Sequence, residues 1–119
     1  MGKQILLNVS VAIKEGKLGA FQAIAREMIE TSRKEPGTLG YEWFLSSDGK
    51  RCQVIETFAD EDALLAHLAR PAVQEGLPKL MGTASVTGCQ VYGDPGSKAK
   101  ETLGGIGAEI FFYWDGLGR

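Results

Sequence analysis

The sequence has few of the residues that form disulfide frameworks, metal centres or fibrous repeats. Its 119 residues include two cysteines, one histidine and four prolines. Two cysteines are too few for a disulfide framework or a four-cysteine zinc site. Four prolines without a Gly-X-Y period exclude collagen and a disordered Pro/Gly tract. We therefore interpret Cys52 and Cys89 as small buried hydrophobic residues of an ordinary globular chain.

Long apolar runs and blocks of one charge are also missing. No apolar stretch approaches the ~18 residues of a membrane-spanning helix. Thirteen basic and fifteen acidic residues give a net charge of −2 without a basic cluster, so neither a membrane nor a nucleic acid is an expected partner. The N-terminus lacks the cleavage site of a signal peptide, and Leu6 stands where myristoylation requires Ser or Thr. We expect a cytoplasmic protein.

Glycine, by contrast, is abundant, and half of it lies near the C-terminus. The chain has 16 glycines, about twice the share expected from a usual ~7%, and eight of them fall within residues 88–119. A chain of this length fits one domain with one core. The glycine-rich end therefore predicts an appendage to that domain, with glycines as hinges around a short helix and a strand.

Hydrophobic periodicity predicts six elements before residue 93. Alternate residues from Ile5 to Ile13 are apolar and share one face, which we place beneath helices. An Asp48-Gly49 turn between two β-prone runs predicts a hairpin, and Asp60 is placed to cap the second helix. The predicted elements are a strand at 3–13, a helix at 18–34, strands at 38–46 and 51–58, a helix after residue 60 that ends or restarts at Pro71, and a strand at 84–92.

This β-α-β-β-α-β order is that of an α+β ferredoxin-like plait, in which both helices cover one face of an antiparallel four-stranded sheet. It accounts for residues 1–93 as one domain. Residues 94–119 are expected to form a C-terminal extension, with a helix near 97–103 and a strand at 108–114. We expect this extension to pack on the same domain or on a dimer partner.

The uncovered face of the sheet is too apolar for plain exposure to water. Such a face predicts a homodimer that pairs face to face and encloses a cavity between the sheet and its partner. Asn8 and Ser10 would point into that mostly apolar space, as the polar groups of a small-molecule site do. Aromatic residues of the hairpin are expected to line at least one face.

Residues 35–68, EPGTLGYEWFLSSDGKRCQVIETFADEDALLAHL, resemble the antibiotic biosynthesis monooxygenase family, which includes quinol monooxygenases and haem-degrading relatives. The resemblance rests on the order and spacing of Pro36-Gly37, Tyr41, Glu56, Phe58 and His67. It extends over most of residues 3–92 and implies a dimeric α+β barrel, which agrees with the predicted plait.

The resemblance implies a cofactor-independent monooxygenase that uses dioxygen to oxygenate a small aromatic, phenolic or quinol-like compound. It implies no metal and no cofactor, because the deprotonated substrate itself supplies electrons to dioxygen. The implied catalytic residues are His67, as base or phenolate partner, and Asn8, which would orient a substrate oxygen. The implied substrate-binding residues are Ser10, Tyr41, Trp43, Glu56 and Phe58.

Two other functions stay open on the same fold. One is a non-catalytic small-molecule-binding or stress-response dimer, because function does not follow from fold and the chain has a single histidine. The other is haem degradation, for which Asn8 matches a first-strand asparagine of that branch. There, however, His67 occupies the tryptophan position and the histidine-ligand position falls near Leu77. His67 could also serve only as a structural histidine bonded to Glu56.

Overall fold

The computed structural model describes residues 4–119. Residues 1–3, where the predicted first strand begins, lie outside this part, as does the N-terminal end that the targeting arguments concern. The elements are β1 Ile5–Ile13, α1 Leu18–Ser32, β2 Thr38–Leu45, β3 Arg51–Phe58, α2 Glu61–Ala69, α3 Pro71–Gln74, α4 Gly76–Met81, β4 Ala84–Tyr92, α5 Gly96–Gly104 and β5 Glu109–Phe111.

The sheet has the strand order β2-β3-β1-β4-β5. The first four strands pair antiparallel, and β5 joins the edge of β4 in parallel. This arrangement confirms the predicted α+β ferredoxin-like plait. It also confirms the predicted covered face, because Ile5, Leu7 and Val11 are buried in the core beneath the helices.

Local sequence explains where the hairpin and the second helix begin. Gly49 adopts a positive φ of 70°, and the Asp48 carboxylate accepts hydrogen bonds from the Lys50 N–H and the Ser46 hydroxyl. At the start of α2 the Asp60 carboxylate accepts a hydrogen bond from the Ala63 N–H at 2.9 Å. Pro71 occupies the first turn of α3, where its missing N–H leaves no bond unmade.

The C-terminal segment contains a helix and a strand, and the strand is shorter than predicted. Ala99 and Leu103 of α5 are buried in the core beside Ile5 and Leu7. The strand β5 has three residues, where the sequence predicted a strand over 108–114. Backbone pairing ends at Phe111, although the aromatic residues beyond it favour β structure.

The open face of the sheet carries exposed aromatic side chains at its β5 edge. Tyr92 and Phe111 stack with ring centroids 5.7 Å apart. Trp114, which follows β5, is 92% exposed. The homodimer predicted from this face stays a prediction. Within residues 4–119, no helix is both long and apolar enough to cross a membrane.

Candidate functional site

The single histidine lies beneath the helices and not at the surface. His67 is one helical turn beyond the fully buried Leu64 on α2, and only 2% of its surface is exposed. Its ring meets the Tyr41 ring edge-on, with centroids 5.0 Å apart, and lies 5.1 Å from the Phe58 ring. The helix register and two aromatic neighbours therefore hold the imidazole in one place.

Two buried glutamates flank the imidazole, one on each nitrogen. Nδ1 of His67 lies 2.7 Å from Oε1 of Glu35, and Nε2 lies 3.3 Å from Oε1 of Glu56. Both glutamates are buried, with 5% and 8% of their surfaces exposed. The same Glu35 oxygen also accepts a hydrogen bond from the Thr38 hydroxyl at 2.9 Å. We call Glu35, His67 and Glu56 the acid–base triad.

The turn that follows α1 places Glu35 in this triad. It is closed by backbone hydrogen bonds from the Glu35 N–H to the Ser32 carbonyl and from the Thr38 N–H to the Glu35 carbonyl. Within the turn, a side chain at Gly37 would collide with the Cβ of Ala63 on α2. Glycine at this position therefore allows the turn to contact α2 and brings Glu35 against His67.

The neighbouring carboxylates determine the charge of the imidazole. Burial by itself lowers the pKa of His67, but hydrogen bonds and charge from Glu56 and Glu35 outweigh it, so the pKa is raised above its ordinary value of 6.5. A protonated ring can donate to both carboxylates. A neutral ring presents a lone pair to one of them, which is unfavourable unless a proton lies between the two groups.

We expect the stability of the fold to fall as pH rises through the raised pKa of His67. The stabilisation is complete below about pH 6.5, the pKa of the unfolded chain, because the ring is charged in both states there. Each unit by which the folded pKa exceeds the unfolded one contributes about 1.4 kcal/mol. Urea denaturation at pH 5.5, 7, 8 and 9 measures this loss. His67→Gln should flatten it, and an equal slope in both proteins would contradict it.

An apolar cavity of about 90 Å³ lies between the sheet and the helices, beside the triad. Its polar lining residues are Tyr41, Trp43, Glu56 and His67. The cavity is smaller than the about 150 Å³ space that accepts benzene in an engineered protein, so a one-ring ligand requires some lining side chains to move outward. The other lining residues are Leu7, Val9, Val11, Met28, Val54, Leu68, Val73, Leu77, Leu80, Met81, Val86, Leu103 and Ile106.

Other titratable groups near the cavity are held in their neutral forms. Burial, followed by the charges of Glu56 and Glu35, raises the pKa of Tyr41 far above its ordinary value near 10. Burial, with a smaller contribution from Glu56, raises the pKa of the Cys89 thiol to about 11. Burial also raises the pKa of Cys52. Both cysteines are buried free thiols, and neither is activated as a nucleophile.

The structure brings together some of the predicted site residues and separates others. Tyr41, Trp43, Glu56 and His67 line one cavity, and Phe58 packs against His67. Asn8 and Ser10 lie on the opposite, open face of the sheet, where Asn8 is the neighbour of Ile55 and Gln90. The Ser10 hydroxyl donates a hydrogen bond to Gln53. Within one chain, these two residues do not reach the His67 cavity.

Sequence reasoning missed Glu35. It was interpreted only as part of the helix end before Pro36-Gly37, although a carboxylate beside such a motif was visible. The described residues 4–119 contain no group of three or more His, Cys, Asp or Glu side chains arranged to hold a metal ion.

Fold and site together define an α+β plait in which a buried histidine lies between two glutamates beside an apolar cavity. The family model of the antibiotic biosynthesis monooxygenases matches residues 4–79, which is more than half of the chain. The chain therefore belongs to the antibiotic biosynthesis monooxygenase family, which confirms the resemblance found in residues 35–68. No curated protein matches this chain.

Solved structures share the fold. MupZ from Pseudomonas fluorescens is 25% identical, with a TM-score of 0.86 over 98% of this chain and 95% of that chain. Protein SO0527 from Shewanella oneidensis is 32% identical, with a TM-score of 0.65 over 76% and 88%. SnoaB, a cofactor-independent oxygenase from Streptomyces nogalater, is 14% identical, with a TM-score of 0.68 over 80% and 96%. Coverage of 98% includes most of residues 94–119, so this segment has a counterpart in MupZ.

Proposed function

We propose that this chain is a cofactor-independent monooxygenase that oxidises a small aromatic, phenolic or quinol-like compound with dioxygen. The observation that carries the proposal is a pair of acid–base groups, His67 and Glu56, on the wall of an otherwise apolar cavity. Family membership supports the reaction class. The fold shared with SnoaB, which is named a cofactor-independent oxygenase, supports chemistry that needs no bound cofactor.

In the proposed reaction, a phenol gives up its hydroxyl proton and passes electrons to dioxygen. One oxygen atom forms a bond to a ring carbon and becomes a carbonyl. The other oxygen atom leaves as water, with the hydroxyl proton and the hydrogen of that carbon. Phenol and dioxygen thus become quinone and water, with four electrons moved from the ring to oxygen.

The charge of the triad favours proton removal over binding of an anion. Two carboxylates and one imidazolium carry a net negative charge, and a phenolate held beside them is repelled. A base in this position assists by taking the proton as electron density moves towards dioxygen. We therefore assign His67 and Glu56 the role of the base and Glu35 the role of orienting the imidazole through Nδ1.

The apolar cavity also fits a second function, a non-catalytic small-molecule-binding protein. The observation that favours it is the scarcity of polar groups: four of the lining residues are polar or aromatic with a polar atom, and none is Lys or Arg. Such a protein would bind the same class of ligand and consume no oxygen.

Glu56→Gln and His67→Gln are each expected to slow oxygen consumption at least 100-fold, because a positioned base contributes roughly 10²–10⁴-fold. The measurement is oxygen uptake with hydroquinone, methylhydroquinone and catechol, corrected for oxidation in buffer. Mass spectrometry after reaction under ¹⁸O₂ should show one labelled oxygen in the product.

Glu42→Gln is the matched control for Glu56→Gln. Glu42 lies on the neighbouring strand β2, is exposed, and is adjacent to Ile55 in the sheet register, so it points away from the cavity. Its variant should consume oxygen at the wild-type rate. Equal uptake by wild-type protein, Glu56→Gln protein and buffer would refute the monooxygenase. Tight binding without uptake would favour the binding protein.

A further inference from the structure

One wall of the cavity carries a hydrogen-bond donor that the triad does not use. Trp43 lines the cavity from β2, and its indole Nε1 is buried. Among residues 4–119, no acceptor lies within hydrogen-bonding distance of this nitrogen. Its nearest aromatic neighbours, Phe21 and Tyr41, contact the indole through ring edges with centroids 5.9 and 5.5 Å away.

A buried indole N–H without an acceptor is unusual. Buried Trp N–H groups commonly find a partner, and leaving a donor unsatisfied costs about 1–3 kcal/mol. In a wall that is otherwise aliphatic, a single donor facing an apolar space also matches the sparse polar groups that orient ligands in small-molecule sites.

Strand register sets the spacing between this donor and the triad. Tyr41 pairs with Glu56 across the β2–β3 ladder, and Trp43 pairs with Val54. All four residues are on the covered face, because they line the same cavity. Two residues along a strand advance about 7 Å, so the indole stands about 7 Å along the sheet from the level of Glu56.

We infer that Trp43 binds an oxygen atom of the ligand, and that the cavity takes a one-ring aromatic compound with oxygens at opposite ends. One oxygen accepts a hydrogen bond from Nε1 of Trp43, and the other meets His67 and Glu56. This inference rests on the proposed function for the oxygen at the triad. It adds a substrate class, the para-dioxygenated benzenes, and assigns Trp43 the role of selecting them.

The test is a binding cycle with two matched ligands and two matched proteins, performed without oxygen so that no turnover occurs. Hydroquinone and p-cresol have nearly the same shape, and p-cresol carries a methyl group where hydroquinone has its second hydroxyl. Trp43→Phe keeps an aromatic ring and removes the N–H. Isothermal titration calorimetry gives the four dissociation constants.

We expect wild-type protein to bind hydroquinone at least tenfold more tightly than p-cresol, since one hydrogen bond to an otherwise unsatisfied donor is worth about that ratio. In Trp43→Phe the ratio should fall to about one. Trp114→Phe makes the same chemical change at a side chain that is 92% exposed, and it should keep the wild-type ratio.

A ratio near one in wild-type protein would overturn the inference, and this arm does not depend on whether Trp43→Phe folds. A tenfold ratio that survives in a folded Trp43→Phe would also overturn it, because the second oxygen would then bind elsewhere. Neither result bears on the oxygen-uptake test. Conversely, a full binding cycle with no oxygen uptake would keep the inference and refute the monooxygenase.

Discussion

Glu35→Ala is expected to lower the free energy of unfolding by about 3 kcal/mol at pH 7, among the largest effects of a single change in this chain. Removing one partner of a buried charged pair costs roughly 3–5 kcal/mol, because the other group stays buried without compensation. Here the loss strands Nδ1 of His67 and the hydroxyl of Thr38, both of which bond the same oxygen of Glu35. Urea denaturation followed by circular dichroism measures the change.

The conservative variant distinguishes the charge of Glu35 from its shape. Glu35→Gln keeps an acceptor oxygen for both donors, so it should recover part of the lost stability. It removes the negative charge, so the pKa of His67 should fall, which NMR titration of the single imidazole can follow. Glu101→Ala, at an exposed position of α5, should change stability by less than about 0.5 kcal/mol. A Glu35→Ala protein as stable as this control would refute the buried triad.

Much of the fold is predictable from local patterns in the chain. Alternation from Ile5 to Ile13 identifies β1 and its covered face, and the Asp48-Gly49 turn identifies the β2–β3 hairpin. These signals are local, since each depends on residues within one element or one turn. The strand at 108–114 was predicted too long for the same reason: aromatic propensity continues to Trp114, but the pairing edge of β4 ends with Tyr92.

The site was harder to predict because its members come from distant parts of the chain. Glu35 and His67 are 32 residues apart, and their contact depends on how closely the Gly37 turn approaches Ala63. The strand pattern of β1 placed Asn8 correctly on the face opposite Leu7, but it does not reveal which face holds a cavity. That depends on how the helices pack above the sheet, which leaves space beside His67 on the covered face.

The C-terminal segment takes part in both the core and the cavity. Leu103 of α5 is 2% exposed, belongs to the core cluster of Ile5 and Leu7, and also lines the cavity. Ile106, in the glycine-rich turn that follows α5, lines the cavity too and is 42% exposed. The glycine excess of the sequence therefore includes the turn at the rim of the cavity, where Gly107 adopts a φ of 74°.

Leu103→Ala is expected to lower the free energy of unfolding by about 3 kcal/mol, within the roughly 2–5 kcal/mol range for buried leucines. The cost combines lost burial with the empty volume left beside Val91 and Leu7. That volume adjoins the ligand cavity, so the variant should also bind 1,4-dihydroxynaphthalene, a two-ring compound, better relative to hydroquinone than wild-type protein does. Thermal and urea denaturation measure the first effect, and anaerobic calorimetry measures the second. Leu117→Ala, at a side chain 79% exposed, is the matched control and should change neither quantity. A Leu103→Ala protein that loses less than about 1 kcal/mol would show that α5 is not part of the core.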